Sequence, residues 1–319
     1  ICSGLVGSEM CIRDSDEGLK KLLVKDVPPV NRIMFDTIIM DECQDLDKLK
    51  FKILRKIIKD NKKGKKVKII LLGDNFQAIF GKIGADKRYL TLGDSLLSDL
   101  SDSPFEFSKL SLSFRMSKEN ADAINFVIGE QRIFSNKITG IKPKYHILDP
   151  FKNSSYILDR IIKLYDKGVK SIYIISPSTK NPNSPIRKLE NQLKIRRSDI
   201  KVFVSRSDLS SDEDVMRNKI VFSNPLPTKG TERDAVFLFN FDTSLFDLYH
   251  TSENTNILPD SYYVAMSRTI TYLEVIHSCQ YNYFPFIDVK HLSNFFDVQQ
   301  INQLDLSLIH ISEPTRPLH

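Results

Sequence analysis

A short apolar run that stops abruptly at two acids constrains this chain more than any other stretch. It reads Phe35-Asp36-Thr37-Ile38-Ile39-Met40, followed by Asp41-Glu42-Cys43-Gln44-Asp45. An extended apolar run of this kind predicts a strand buried in a sheet. Polar residues just beyond it emerge at the strand's carboxyl edge, where open α/β sheets bind ligands. Placed there, Asp41 could hold Mg²⁺ and Glu42 could polarise a water. The plainer alternative is a strand that runs into an acidic helix start, and two adjacent acids alone do not separate the two.

The pattern recurs further along. Ile69-Ile70-Leu71-Leu72 ends at Gly73, where the backbone can turn tightly, and Asp74-Asn75-Phe76-Gln77 follows. This arrangement would set Gln77 beside Glu42, although Gly-Asp after a strand is also an ordinary turn. Three more segments pair a predicted strand with chemistry-bearing residues. Leu110-Ser111-Leu112-Ser113 leads into Phe114-Arg115. Thr228-Lys229-Gly230-Thr231-Glu232-Arg233-Asp234 precedes the apolar Ala235 to Phe239. Tyr263-Val264-Ala265-Met266-Ser267-Arg268 precedes a strand from Tyr272 to Ile276.

Around these segments, short β-rich runs alternate with amphipathic stretches, which predicts an α/β fold with mainly parallel sheets and helices on their faces. Strands are expected near 35–40, 67–72, 108–113, 171–176, 201–204, 219–222, 234–240 and 271–277. Helices are expected near 45–60, 117–130, 153–166, 184–195 and 259–269. In the first helix Leu46, Leu49, Ile53 and Ile57 share one face, with Lys48, Lys52, Arg55 and Lys59 off it. The polar stretch 94–107, with Pro104, is the candidate linker between two α/β halves. The run Lys62-Lys63-Gly64-Lys65-Lys66 is either a solvated turn or a nucleic-acid contact.

With 319 residues the chain suits two domains. No apolar run reaches the roughly 18 residues of a membrane span, so a soluble, intracellular protein with no membrane partner is expected. Four cysteines without paired spacing, and six histidines that form no cluster with them, argue against a disulfide framework and a zinc site. Both ends stand apart. Residues 5–15 resemble the translation of a common transposase sequencing adaptor, and residues 306–316 resemble the same oligonucleotide read on the opposite strand. Residues 1–15 and 306–319 are therefore set aside from fold reasoning. The remainder carries 44 Lys and Arg against 37 Asp and Glu, a net charge of +7 that fits a phosphate-rich partner.

Taken together and in order, the five segments resemble motifs II to VI of superfamily 1 helicases of the UvrD/Rep-like kind, across residues 35 to 277. Ser184-Pro185-Ile186-Arg187-Lys188-Leu189-Glu190 and Phe239-Asn240-Phe241-Asp242 look most like helicases of large DNA viruses. The resemblance implies two RecA-like P-loop-type domains, the first truncated at its N-terminus (16–105) and the second spanning 106–290, with a tail at 291–305. It implies ATP and Mg²⁺ as cofactors, with ATP lying between the two domains. Asp41 would be the Mg²⁺ ligand, Glu42 would orient or deprotonate the attacking water, and Gln77 would sense the γ-phosphate. Arg115 and Arg268 would meet charge on the transferred phosphoryl group. Phe114, where the family often has tyrosine, would stack on adenine, with Gly230 and Glu232 facing the ribose. Phe80 and Ser223 would contact nucleic acid; the alternative for Phe80 is a core aromatic.

The activity implied is ATP-driven movement on single-stranded or partly duplex DNA, 3′ to 5′, with unwinding; RNA stays open as a partner. The sequence departs from the family pattern in several places. Gly81-Lys82-Ile83 offers no aromatic after motif III. Asn224-Pro225-Leu226-Pro227 replaces polar strand-contacting residues, and Thr231 replaces an apolar one. No Gly-x-x-x-x-Gly-Lys-Ser/Thr loop occurs. A gene fragment cut off upstream, inactive as an ATPase on its own, is the reading that follows. A translocase that never separates strands and a catalytically dead nucleic-acid-binding module are the alternatives.

Overall fold

The computed structural model describes residues 9–26, 35–61, 66–81, 84–205, 213–249 and 255–301, without the side chains of 9–15, 61 and 249. Most of the Lys62–Lys66 run, Lys82 and Ile83, and much of the two adaptor-like ends lie outside the described residues. The chain forms two compact units, Ile1–Lys109 and Leu110–His319. Their α/β class with parallel sheets is the one expected.

The first unit contains α1 (Glu9–Val24), β1 (Thr37–Met40), α2 (Lys48–Asn61), β2 (Lys68–Leu71), α3 (Arg88–Thr91) and α4 (Gly93–Leu97). Helix α1 starts inside the segment read as adaptor-like. Strands β1 and β2 pair in parallel, Thr37 opposite Lys68 and Met40 opposite Leu71, so both carboxyl ends reach the same edge. The fully buried strand expected at 35–40 is instead half-buried. Ile38 and Met40 face the core while Ile39 is 61% exposed, because β1 alternates.

Helix α2 turns a different face inward from the one expected. Phe51, Leu54 and Ile58 are buried with Val67, Ile69, Leu97 and Leu100, whereas Ile57 is exposed. The apolar arc of α2 is wider than one stripe. Leu46 lies before the helix begins and so cannot set its phase, and Phe51, stacked on Tyr89 with ring centroids 4.3 Å apart, takes the centre. The expected linker at 94–107 also proves structural, since part of α4 and the buried Leu97 and Leu100 belong to this core.

The second unit contains α5 (Lys118–Ile128), β3 (Lys144–Leu148), α6 (Ser154–Asp166), β4 (Ile172–Ile175), α7 (Pro185–Arg196), β5 (Val202–Val204), α8 (Glu213–Met216), β6 (Ile220–Ser223), β7 (Arg233–Leu238), α9 (Ser244–Tyr249), α10 (Asp260–Ser267), β8 (Thr269–Ser278), α11 (Leu292–Phe295) and β9 (Asp297–Gln300). Seven parallel strands are ordered β5-β6-β4-β7-β8-β3-β9. Alternate residues Ile172, Ile174, Ala235, Phe237, Ile220 and Phe222 pack with α6 and α7. The opposite face carries Tyr145, Tyr173, Val236 and Leu238, all buried.

Two strands were not foreseen. Strand β9 reads Asp-Val-Gln-Gln, polar because it is the sheet's edge, and it lies within the tail expected at 291–305, of which 302–305 fall outside the described residues. Strand β3 interrupts its apolar alternation with His146. Conversely, the strand expected at 108–113 is reduced to one isolated bridge between Leu112 and Phe134, and Leu110 is almost fully exposed. An alternating pattern makes a strand only where a neighbour can complete its ladder.

Candidate functional site

In the first unit the edge shared by β1 and β2 gathers the acids. Backbone pairing continues past both strands, from Leu72 N to Met40 O (2.8 Å) and from Cys43 N to Leu72 O (3.0 Å). Asp41 is exposed, and its Oδ1 accepts the Glu42 amide at 2.9 Å. Glu42 takes the left-handed conformation, φ 53° and ψ 39°, which costs a residue with a side chain about 1–2 kcal/mol. A short helical turn, Cys43–Asp45, follows at once.

Gln44, inside that turn, is completely buried. Its Nε2 donates to Glu42 Oε2, and its Oε1 accepts the Asp74 amide at 3.1 Å. Asp74 in turn caps the turn Asn75–Gln77, accepting Phe76 N at 3.0 Å through Oδ1 and Gln77 Nε2 at 3.1 Å through Oδ2. Glu42 and Gln77 are thus linked through Gln44 and Asp74. Sequence reasoning did not single out Gln44. The available signal was an amide inside the acidic run Asp41–Asp45, and its meaning depends on which strand end faces it.

Cys43 is also buried, its Sγ donating to Met40 O at 3.3 Å, and burial pushes its pKa up to about 11. That thiol is inert packing. Phe80 is partly buried. Among the described residues no group of three potential ligands could hold a metal ion. A single exposed carboxylate at a strand edge nevertheless fits Mg²⁺, which keeps its waters and is commonly held by one or two carboxylates together with substrate phosphates.

In the second unit three distant segments meet. Arg115 Nη2 donates to Ser267 O at 2.8 Å, and its Nε lies 3.5 Å from Glu232 Oε2. Arg268, at the end of α10, donates from Nε to Val264 O (3.1 Å), from Nη1 to Thr231 O (3.4 Å) and from Nη2 to Ser267 Oγ (2.8 Å). Arg115, Glu232 and Arg268 therefore form one cluster, joined through Ser267 and Thr231. Their settings differ: Arg268 is 3% exposed, whereas Arg115 is only partly buried. Gly230 adopts φ +80°, a left-handed turn that presents Glu232 at the surface.

Phe114 is 86% exposed, available as a stacking platform. Ser223 is placed otherwise than expected: it ends β6 at 1% exposure with its hydroxyl donating to Asn224 O at 2.9 Å, so it offers no surface to a nucleic-acid strand. Arg233 escaped the sequence reading. It is buried over the Tyr173 ring, 4.6 Å from the centroid, and its Nη1 donates to Glu213 Oε1 and Glu232 O, both at 2.7 Å. A lone arginine opening an apolar strand was the available sign, since a buried charge requires partners.

Residues 20–95 match the family model described as UvrD/REP helicase N-terminal domain, and this stretch includes Asp41, Glu42, Gln77 and Phe80. The match supports a helicase-like character for the first unit. No curated protein matches the chain. Among solved structures, the chain is similar to the C-terminal domain of a possible DNA helicase from Lactobacillus plantarum, at 14% identity and TM-score 0.40, over 59% of this chain and 98% of that one. It is similar to Saccharomyces cerevisiae Dbp5 bound to RNA and ADP-BeF3, at 15% identity and TM-score 0.43, over 91% of this chain and 64% of that one. It is also similar to arterivirus nonstructural protein 10, a helicase, with DNA, at 10% identity and TM-score 0.31, over 57% of this chain and 37% of that one. The chain thus spans under two thirds of the Dbp5 chain. No described helix is long and apolar enough to cross a membrane.

Proposed function

We propose that this chain is part of an ATP-dependent superfamily 1 helicase or translocase, built on RecA-like domains, that moves 3′ to 5′ on single-stranded DNA and unwinds duplex. The observation that carries this reading is the helicase-family match over residues 20–95, on the segment where Glu42, Gln44, Asp74 and Gln77 form one hydrogen-bonded series at a strand edge. Affinity with helicases of large DNA viruses rests on the two sequence signatures at 184–190 and 239–242.

In this reading catalysis draws on groups from both units. Asp41 would hold Mg²⁺, which when bound neutralises charge on the phosphates. Glu42 orients the attacking water and takes its proton, and Gln77 contacts the terminal phosphate. Arg115, fixed through Ser267 and Glu232, meets the charge spread over the phosphoryl oxygens, a task suited to a permanently charged planar guanidinium. Arg268 acts from behind as the buried brace of that cluster. Phe114 stacks on the base, Gly230 and Glu232 face the ribose, and Phe80 meets a nucleic-acid base. Because no phosphate-cradling Gly-x-x-x-x-Gly-Lys-Ser/Thr loop stands among the 319 residues, the chain alone hydrolyses ATP poorly.

Fluorescence anisotropy with labelled single-stranded DNA, duplex DNA and RNA tests the reading. Single-stranded DNA should bind best, with affinity that falls steeply as salt rises. Absence of binding to every nucleic acid would overturn the proposal. Strand displacement by a longer form that carries the phosphate loop separates a helicase from a translocase, and a longer form without that loop would favour the dead binding module.

A further inference from the structure

We infer that Gln44 is a positioning residue that holds the Glu42 side chain and couples it to the Asp74–Gln77 turn. The inference deepens the proposed reading of this edge and rests on it for its catalytic meaning, but the coupling itself is a property of the first unit.

The amide of Gln44 has no freedom of choice. A carboxylate only accepts and a backbone N–H only donates, so Nε2 must face Glu42 and Oε1 must face Asp74. Flipping the amide would oppose like poles at both ends. The side chain is fully buried, so water cannot replace either partner cheaply. Glu42, left-handed and adjacent to the exposed Asp41, is a residue whose backbone needs such support.

Gly73 supplies an independent sign. A Cβ built there would lie 2.3 Å from Gln44 Oε1, 3.0 Å from Leu90 Cδ2 and 3.2 Å from Cys43 N. The backbone after β2 therefore leaves room for the Gln44 amide to reach Asp74, and any side chain at position 73 would push that amide away. Since Asp74 also accepts from Gln77 Nε2, a shift of the Asn75–Gln77 turn moves the atom that Gln44 grips and, through it, the Glu42 carboxylate. Contact made at Gln77 would thereby be reported to the group that orients water.

The test is heteronuclear NMR of the full chain with amide hydrogen exchange. Gln44→Met keeps the volume but removes both polar contacts. It should raise exchange at the Asp74 amide about tenfold, the equivalent of one lost hydrogen bond, and move the Glu42 Cα shift out of its left-handed range. The Leu72 and Cys43 amides, held by strand pairing, should stay protected. Gln44→Glu keeps an acceptor for Asp74 but opposes a carboxylate to Glu42, so Asp74 should remain protected while Glu42 moves. Gly73→Ala retains the Gln44 residue but pushes its amide away from Asp74, so it should reproduce the Gln44→Met pattern.

Wild-type exchange at Asp74 and wild-type shifts at Glu42 in both Gln44→Met and Gly73→Ala would overturn the inference. So would a Gln44→Glu protein in which Glu42 does not move, a result that decides the matter even if Gln44→Met fails to fold. No nucleotide or nucleic acid enters these measurements. Their failure is therefore distinct from a failure to bind DNA, which would remove the functional reading and leave the coupling standing.

Discussion

At the scale of single residues, the two arginines expected to share a role separate by burial. The resemblance gives Arg115 and Arg268 the same task, but their settings differ. The one side-chain hydrogen bond of Arg115 to a backbone carbonyl and its partly exposed contact with Glu232 contribute about 1 kcal/mol at most. Arg268 is held more firmly. Its guanidinium donates to Val264 O, Thr231 O and Ser267 Oγ inside the fold, and truncation would remove all three donated bonds, leaving Val264 O only the Ser267 hydroxyl. Arg268→Ala should cost on the order of 3 kcal/mol, lowering the midpoint of the second unit by roughly 6–12 °C, while Arg115→Ala shifts it by no more than a few degrees. Thermal unfolding of both variants checks this, and equal midpoints would refute the division of roles. The difference was not legible in the sequence, because nothing local to Arg268 says that Thr231, far back along the chain, closes over it.

At the scale of elements, the polar core of the large sheet shows what pairing adds to pattern. Strand β8 was legible as a strand, but its Glu274 is buried in the middle of it. His146 on β3 donates to Glu274 Oε2 at 2.9 Å, and Arg160 on α6 donates to both carboxylate oxygens. Tyr156 OH, 3.4 Å from His146 Nδ1, completes the chain. Burial pushes the Glu274 pKa up, yet the hydrogen bonds and charges of His146 and Arg160 outweigh it and hold it below the ordinary 4.5. A carboxyl depressed in the folded state contributes stability that is fully present above its unfolded pKa and lost as pH falls through the folded one. Part of the second unit's stability should therefore disappear below pH 4.5. Glu274→Gln should cost about 3 kcal/mol at neutral pH, by leaving Arg160 unpaired, and flatten the acid limb of the stability profile. Denaturant titrations between pH 3 and pH 7 would show it, and an unchanged acid limb would remove Glu274 as the cause. Sequence reasoning had no access to this network, because β3 itself was missed and its alignment with β8 is a fact of the sheet.

At the scale of the whole molecule, two separate cores predict two unfolding events. Among the described residues the first unit's cluster has seven buried side chains, from α2, the start of β2 and the Leu97–Leu100 segment; the second unit's has seventeen, under α6 and α7. Among the described residues, a two-stranded sheet with one exposed face holds the first unit less firmly than a seven-stranded parallel sheet whose central strands β4, β6 and β7 are buried holds the second. Scanning calorimetry should resolve two transitions, the first unit melting at the lower temperature. A single transition with equal calorimetric and van't Hoff enthalpies would show that the units unfold as one.

The sequence by itself determined the alternation of strands and helices, the parallel α/β class, and the placing of Asp41, Glu42 and Asp74 just beyond strand ends. Those features are local: a period of apolar residues, a glycine, a polar residue at a run's limit. Only the tertiary structure decided that Phe51 rather than Ile57 faces the core, that Ser223 is sealed inside, that a polar segment at 297–300 closes the sheet's edge, and that Gln44 joins two strand ends. Each depends on which distant backbone supplies a missing donor, acceptor or packing surface, and residue spacing along the chain carries no record of that.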